Sequence, residues 1–328
     1  MKKKFLLFFL VIQGSFGEEM PHHPMDLNQC KESQNSEKAC FVIAEYYYQK
    51  KDYQNAEKYY SIACNQNHAI ACGNLGIIYH YGEGREVDYN LAKNYYEKGC
   101  QLKDGLSCNN LGYLIENQLV ESNKTPLDLY KESCEYGFNI GCNNAGIYYL
   151  NGFNVNLDYS LALEYFEKSC KLKYYKGCGN LGFMYDKGFG VTQDYLKALE
   201  LYSLACKNND YWSCGNLGYL YEFGLGTEIN LEIALRLYIL ACNQKDGWSC
   251  NNIGYLYDTG KGLGQSYEKA SEYYSLACEY KDSLGCSNLA LLFEKGLGVE
   301  KDHKKANYYF SLSCKLGNKK ACKSPESQ

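Results

Sequence analysis

Residues 214–242 read CGNLGYLYEFGLGTEINLEIALRLYILAC. Two segments of helical length, both rich in apolar residues, lie on either side of Gly224-Leu225-Gly226. A glycine just past a helix end supplies the left-handed conformation that stops the helix. Asn230 is a good N-cap for the segment that follows, because its short side chain can accept from the free amides of the first turn. This stretch therefore predicts two helices joined by a tight turn.

The same pattern recurs along the chain and is marked by cysteine pairs with seven residues between their members. Successive pairs lie 36 residues apart, except for 34 between Cys100 and Cys134. A fixed period of 20 to 50 residues is typical of a repeat solenoid. The sequence therefore predicts an all-α solenoid built from helix–turn–helix repeats.

The first residues have the pattern of a secretory signal. Lys2 to Lys4 are followed by an apolar run from Phe5 to Ile12, and Ser15-Phe16-Gly17 offers small residues at the cleavage site. We expect a signal peptide at 1–17, an N-terminal segment at 18–35, eight repeats at 36–317 and a C-terminal cap and tail at 318–328. The apolar run is too short to span a bilayer, so we predict no membrane insertion after signal cleavage.

Aligned copies share a capping residue twelve positions before the first cysteine of each pair. It is a short polar residue in seven copies: Asp52, Asp88, Asp158, Asp194, Asn230, Ser266 and Asp302.

Two copies depart from the pattern. The first (36–67) turns at Lys50-Lys51-Asp52 without the glycine loop. In the third (104–137), Thr125-Pro126 is the predicted cap and first helical residue, so its second helix is expected to start late and be short.

Eighteen cysteines in an exported chain indicate a disulfide framework. Pairing within a repeat, about 28 residues apart, would leave Cys30 and Cys322 without partners, and its spacing varies between copies. The short pairing uses every cysteine, and its gap is seven residues in every pair except Cys30–Cys40, where it is nine. We predict Cys30–Cys40, Cys64–Cys72, Cys100–Cys108, Cys134–Cys142, Cys170–Cys178, Cys206–Cys214, Cys242–Cys250, Cys278–Cys286 and Cys314–Cys322. Zinc would need closer cysteine pairs and further ligands, so we predict no metal site.

The net charge of −4 and the two arginines, Arg85 and Arg236, provide no basic face of the kind that binds nucleic acid. We therefore predict no nucleic-acid partner, and no motif in the chain indicates a cofactor.

The recurring motif Asn-Leu-Gly-x-x-Tyr, Gly-x-Gly, Asp-Tyr-x-x-Ala and aromatic-x-x-x-Cys resembles the Sel1-like repeat, a relative of the tetratricopeptide repeat. With the signal peptide and the regular cysteine pairs, the chain resembles the Helicobacter cysteine-rich protein family over residues 36–322. The resemblance implies a right-handed α/α superhelix whose first helices line a concave face. It also implies two kinds of function: secreted penicillin-binding proteins with slow β-lactamase activity, and repeats that bind peptides and proteins.

The residues for catalysis are sparse. The sole Ser-x-x-Lys is Ser266-Tyr267-Glu268-Lys269, at a position where other copies carry a capping Asp or Asn, and neither Ser-Asp-Asn nor Lys-Thr-Gly occurs. The five histidines are scattered: His22 and His23 near the N-terminus, and His68, His80 and His303 in different repeats. The sequence offers no assembled active site, and catalytic residues stay unknown.

The asparagine before Leu-Gly is the candidate binding residue. In tetratricopeptide domains a matching asparagine faces the groove and bonds a bound peptide, so the resemblance implies a ladder of Asn74, Asn110, Asn144, Asn180, Asn216, Asn252 and Asn288. An amide offers donors and an acceptor, which suits an extended peptide. The alternative is that each asparagine bonds a neighbouring helix or tyrosine and holds the repeats together. A second asparagine one position earlier, at Asn109, Asn143 and Asn251, favours a surface role.

The hypothesis is a secreted or periplasmic scaffold that binds a peptide-like ligand in its groove. Candidate partners are a host or periplasmic protein, or a peptidoglycan peptide. The alternative is a slow β-lactamase or penicillin-binding protein that hydrolyses the β-lactam amide.

Overall fold

A computed structural model describes residue 30 and residues 36–323. The predicted signal peptide, most of the predicted N-terminal segment, His22 and His23 lie outside the described residues. The described chain contains sixteen α-helices, a short 3₁₀-helix at Ala321–Lys323 and no strand. Of the described helices, none combines the length and the apolar character that crossing a membrane requires.

The chain divides into two compact units, residues 1–102 and 103–328. The first unit contains α1 (Ser36–Gln49), α2 (Tyr53–Asn65), α3 (Ala69–Tyr81) and α4 (Tyr89–Gln101). The second contains α5 (Gly105–Glu116), α6 (Pro126–Glu135), α7 (Asn139–Asn151), α8 (Tyr159–Lys171), α9 (Tyr175–Lys187), α10 (Tyr195–Lys207), α11 (Tyr211–Phe223), α12 (Leu231–Cys242), α13 (Gly247–Thr259), α14 (Tyr267–Glu279), α15 (Ser283–Lys295) and α16 (His303–Lys315). Odd-numbered helices are the first helices of the repeats, and even-numbered helices are the second.

The second helices begin at the predicted caps. In every case the cap side chain accepts a hydrogen bond from a backbone N–H of the first turn, at Asp52, Asp88, Asp158, Asp194, Asn230, Ser266 and Asp302. Thr125 caps α6 with Pro126 as its first residue, and this helix has only ten residues. The predictions of helix starts, and of a late, short helix in the third copy, are confirmed.

Glycine ends most of the first helices. The C-cap residues Gly82, Gly188, Gly224, Gly260 and Gly296 are all left-handed, with φ between 68° and 71°. The glycine of Asn-Leu-Gly has a different role. A Cβ at Gly218 would lie 3.1 Å from the ring of Tyr238 on the next helix, so the missing side chain lets the tyrosine pack onto the backbone.

Disulfides link the second helix of one repeat to the first helix of the next. Eight of the predicted pairs have Cα–Cα distances between 4.5 and 4.9 Å: Cys30–Cys40, Cys64–Cys72, Cys134–Cys142, Cys170–Cys178, Cys206–Cys214, Cys242–Cys250, Cys278–Cys286 and Cys314–Cys322. No cysteine of the described chain is free. The members of the remaining predicted pair, Cys100 and Cys108, belong to different units.

The prediction of an all-α repeat solenoid cross-linked by disulfides is confirmed. The handedness of the superhelix and its concave face stay predictions.

Candidate functional site

Three of the seven ladder asparagines, all in the second unit, bond directly to an asparagine one repeat earlier. The amide nitrogen of Asn144 donates to Asn109 Oδ1 at 2.9 Å, that of Asn180 to Asn143 Oδ1 at 2.8 Å, and that of Asn288 to Asn251 Oδ1 at 2.9 Å. Each acceptor directly precedes the ladder asparagine of its own repeat. These amides therefore link successive first helices.

The interpretation of the doubled asparagines as a surface feature is wrong. Asn109, Asn143 and Asn251 are only 3%, 5% and 7% exposed. A buried amide is costly unless it is hydrogen-bonded. Their side chains are buried between repeats because each supplies the acceptor that the next ladder asparagine needs.

Two further ladder asparagines are also engaged. In the first unit, Asn74 Nδ2 donates to Glu45 Oε1 at 2.8 Å. In the second unit, Asn110 is buried, and its Oδ1 lies 3.3 Å from Asn109 Nδ2. For Asn74 the interpretation that asparagine holds the repeats together describes the contact observed, whereas the contact of Asn110 is with its neighbour on the same helix.

Asn216 and Asn252 differ from Asn144, Asn180 and Asn288, because glycine stands where the acceptor would be. Gly179 and Gly215 occupy the position that Asn143 and Asn251 hold in other repeats. Asn216 Nδ2 donates within its own helix, to the Trp212 carbonyl at 2.9 Å. The amide nitrogen of Asn252 has no hydrogen-bond partner in the part of the chain that the structure describes. Asn216 is therefore not hydrogen-bonded to the preceding repeat, whereas the Asn252 amide is buried and close enough to the Tyr238 hydroxyl of the preceding repeat to affect its pKa.

The space left by these glycines is filled from the next repeat. A Cβ on Gly179 would lie 2.7 Å from Asp210 Oδ2, and one on Gly215 would lie 2.5 Å from Ser249 Oγ. The sequence shows the matching pattern. Where this position is glycine (179 and 215), serine precedes the second cysteine of the next repeat (Ser213 and Ser249). Where it is asparagine (109, 143 and 251), glycine does so (Gly141, Gly177 and Gly285).

A row of polar side chains on the first helices binds the buried tyrosines of the second helices. The pairs are Tyr60 with Glu45, Tyr96 with His80 at 3.2 Å, Tyr130 with Glu116 at 2.7 Å, Tyr202 with Asp186 at 3.5 Å, Tyr238 with Glu222 at 2.9 Å, and Tyr274 with Asp258 at 3.1 Å. Where the second helix carries Phe166, the matching first-helix residue is Leu150. The final copy is an exception, since Phe310 follows Glu294.

Burial and these contacts shift the pKa values of the row. Burial raises the pKa of Glu45, while hydrogen bonds from Tyr60 and Asn74 oppose that shift. Burial lowers the pKa of His80 to about 4, so this imidazole is neutral at pH 7. Burial and the adjacent Glu222 carboxylate raise the pKa of the Tyr238 phenol, which therefore acts as a hydrogen-bond donor.

Two acids of the row also hold a lysine. Lys261 Nζ lies 2.8 Å from Glu222 Oε1 and 4.4 Å from the centre of the Phe223 ring. Lys187 Nζ lies 2.9 Å from Asp186 Oδ2. Its ammonium group is also 5.9 Å from the Phe183 ring and 6.0 Å from the Tyr219 ring. Both cations are thus paired with a buried carboxylate and lie against aromatic rings.

The first helices α9, α11 and α13 carry a cluster of partly exposed aromatic side chains, which we call the aromatic face: Phe183, Trp212, Tyr219, Phe223, Trp248 and Tyr255. Trp212, Phe223 and Tyr255 are 40%, 46% and 47% exposed. The chain has only two tryptophans, and both belong to this face. They start the helices that carry Asn216 and Asn252, so the aromatic side chains lie on the same helices as these two ladder asparagines.

This face was not predicted from the sequence. The sequence nevertheless contains a pattern that marks it. Both tryptophans stand two residues before a cysteine, and they lie 36 residues apart. In the repeat that precedes each of them, glycine replaces an asparagine. The row of polar side chains that binds the buried tyrosines was also missed. The sequence does show a polar residue on the first helix where the second helix carries tyrosine, and Leu150 where it carries Phe166.

Ser266 lies outside this face. Its hydroxyl oxygen accepts from the backbone N–H of Lys269 at 3.3 Å and caps α14, as its position in the repeat predicted.

Seven segments match the Sel1 repeat: residues 38–68, 69–104, 140–174, 176–210, 213–246, 249–279 and 283–318. Most of the third predicted copy, which has the short second helix, falls between two matches. No curated protein sequence matches the chain.

Three solved structures are similar to this chain. Helicobacter pylori cysteine rich protein B shares 32% identity, over 40% of this chain and 93% of its own, with a TM-score of 0.34. The protective antigen c5321 of uropathogenic Escherichia coli shares 26% identity with a TM-score of 0.72, over 90% of this chain. This chain spans 66% of that antigen's length. A Sel1 repeat protein from Oxalobacter formigenes has the same fold, with 18% identity, a TM-score of 0.66, and coverage of 90% and 86%.

The chain belongs to the Sel1 repeat family and is of the Helicobacter cysteine-rich type.

Proposed function

We propose that this protein is an exported scaffold that binds a peptide-like ligand on its aromatic face. A disulfide-linked Sel1 repeat scaffold is consistent with protein binding. The observation that carries the proposal is the group of exposed aromatic side chains around Trp212 and Trp248, together with Asn216, whose amide bonds only within its own helix.

The chemistry of the face suits a peptide. Tryptophan and tyrosine are enriched where proteins bind one another, because they bury a large apolar area and keep a polar group available. An asparagine amide can donate to a backbone carbonyl and accept from a backbone N–H. Since the Asn216 amide bonds only within its own helix, a ligand can engage it without breaking a link between repeats.

The compartment supports the same proposal. Many disulfides are consistent with an oxidising, extracytoplasmic location. We propose secretion or residence in the periplasm, where host proteins, periplasmic proteins and peptidoglycan peptides are the available ligands.

The test is selection of peptides from a random phage-displayed library on purified, oxidised protein. We expect peptides that bind the wild-type protein and not the Trp212→Ala/Trp248→Ala variant. The matched control is Leu204→Ala/Leu240→Ala, which removes two side chains that are each 42% exposed on second helices of consecutive repeats. Circular dichroism and thermal unfolding verify that both variants fold. Peptides that bind both variants as well as the wild type would place the ligand elsewhere and overturn the proposal.

The alternative, hydrolysis of a β-lactam amide, rests on the family resemblance. It is tested with nitrocefin on the same preparations. We expect no turnover that follows the concentration of this protein. Turnover that scales with the protein and persists through further purification would make the lactamase the leading function.

A further inference from the structure

We propose that the aromatic face binds a proline-rich segment in the polyproline II conformation. This inference rests on the proposed function and specifies its ligand.

The face contains two similar pairs of aromatic rings, one repeat apart. The rings of Phe183 and Trp212 have centres 6.0 Å apart and planes at 56°. Those of Tyr219 and Trp248 have centres 6.0 Å apart and planes at 42°. Neither pair is stacked flat, so each leaves a wedge between its two planes. A ligand that repeats its own side chains can fill both wedges in the same way.

Buried tyrosines hold the two indole rings in place. Trp212 meets the Tyr202 ring edge-on, with centres 6.0 Å apart and planes at 79°. Trp248 meets the Tyr238 ring in the same way, at 6.0 Å and 84°. Tyr202 and Tyr238 are fully buried. The wedges are therefore formed before a ligand arrives, which lowers the entropic cost of binding.

The charges on the face are matched internally. Lys187 pairs with Asp186 and Lys261 pairs with Glu222, and both carboxylates are almost fully buried. Two other acids lie in this region. Asp258 accepts a hydrogen bond from the Tyr274 hydroxyl. Burial raises the pKa of Asp210, and the nearby Lys176 ammonium partly opposes that shift. An acidic ligand would have to compete with these carboxylates for the lysines. The complementary ligand is therefore an uncharged segment.

The free hydrogen-bonding groups complete the match. Within the described residues, neither the Trp212 nor the Trp248 indole N–H donates a hydrogen bond. A polyproline II chain has no internal hydrogen bonds and leaves its carbonyls available, and proline has no backbone N–H that would need an acceptor. Indole donors and aromatic wedges are the features with which proteins bind proline-rich segments, whose extended form costs little entropy to fix.

The test uses acetylated, amidated decaproline as the probe, with an acetylated, amidated decaglutamate peptide as the comparison. Because the two tryptophans are the only ones in the chain, their fluorescence reports binding to this face. Calorimetry measures affinity for variants that lack a tryptophan. We expect saturable binding of decaproline and none of decaglutamate. Trp212→Ala and Trp248→Ala should each weaken decaproline binding by about tenfold or more, and Leu204→Ala/Leu240→Ala should leave it unchanged.

The outcomes separate this inference from the proposed function. Decaproline binding that depends on both tryptophans supports the inference, as does enrichment of proline among the selected phage peptides. If the selected peptides require the tryptophans but lack proline, and decaproline does not bind, the inference is overturned and the proposed function stands. If no peptide requires the tryptophans, both are overturned.

Discussion

The amide nitrogen of Asn180 lies 2.8 Å from the side-chain oxygen of Asn143, one repeat earlier. The bond joins two residues 37 positions apart, and the acceptor is buried. A ladder asparagine can therefore link two repeats instead of binding a ligand, and the residue that it meets in the preceding repeat decides which.

Asn143→Ala should destabilise the protein, because it leaves the Asn180 amide without its buried acceptor. The expected loss is about 1–3 kcal/mol, measured by urea unfolding of the oxidised protein at pH 7. Hydrogen exchange in α9 should quicken. The control is Asn216→Ala, whose side chain bonds only within its own helix at an exposed position, and which should change stability by less than about 0.5 kcal/mol. Equal effects of the two substitutions would contradict the structural role of Asn143.

Tyr238→Phe should cost about 1–3 kcal/mol, because it removes a hydroxyl donor from a carboxylate that is only 4% exposed. The double substitution Tyr238→Phe/Glu222→Leu should recover part of that loss, since it reproduces the natural pair Phe166 and Leu150. Thermal unfolding of the two single variants, the double variant and the wild type forms a double-mutant cycle. Additive effects would mean that the hydroxyl and the carboxylate do not interact.

His80 should make the first unit less stable as the pH falls. Burial lowers its pKa to about 4 in the folded protein, whereas the unfolded value is about 6.5. Between these values the unfolded chain binds the proton more tightly, so the stability present above pH 6.5 is lost as the pH falls toward 4. The shift corresponds to about 3 kcal/mol at most.

The measurement for His80 is urea unfolding at pH 7.0 and pH 5.0 for the wild type and His80→Gln. Glu45, Glu83, Asp104, Asp210 and Asp282 have pKa values raised by burial, so they stabilise the fold as the pH falls and oppose the effect of His80. The variant should therefore lose less stability than the wild type on acidification, or gain more. An identical pH dependence in both proteins would show that His80 titrates normally.

Removing one disulfide by Cys206→Ser/Cys214→Ser should cost about 2–3 kcal/mol, because the unfolded chain regains the freedom of the closed loop. Urea unfolding without reductant measures the loss. The variant should remain helical by circular dichroism, since the helices on either side of the bridge keep their apolar contacts. An unchanged unfolding midpoint would show that packing alone fixes this junction.

The helices, their caps and the disulfide framework could be predicted from the sequence, because each is determined by residues close together in the chain and repeated in most copies. Asp194 and Gly188, for example, act on the backbone of their own repeat. The use of each ladder asparagine could not be predicted in the same way. Whether Asn180 or Asn216 is tied down depends on the residue 37 positions earlier, Asn143 or Gly179, and on whether their helices meet.

The aromatic face was missed for a related reason. Trp212 and Trp248 fit the apolar pattern of their helices, so periodicity alone assigns them to packing. Their exposure depends on how far the neighbouring repeats cover them, which only the folded chain shows. For the buried tyrosines, burial could be predicted from their position in the repeat. The side chains that accept hydrogen bonds from their hydroxyls were not predicted.

Neighbouring repeats match in size, because serine packs against glycine and glycine against asparagine. This matching restricts how such a gene can gain or lose copies by recombination. Excision of residues 180–215 would bring Gly179 before Asn216 and keep a glycine opposite Ser249, as in the present chain. Excision of residues 144–179 would instead set Asn143 against Ser213, at a place where the structure has room only for glycine. Repeats that look interchangeable by their period are therefore compatible only with certain neighbours, and the order of the copies is itself inherited information.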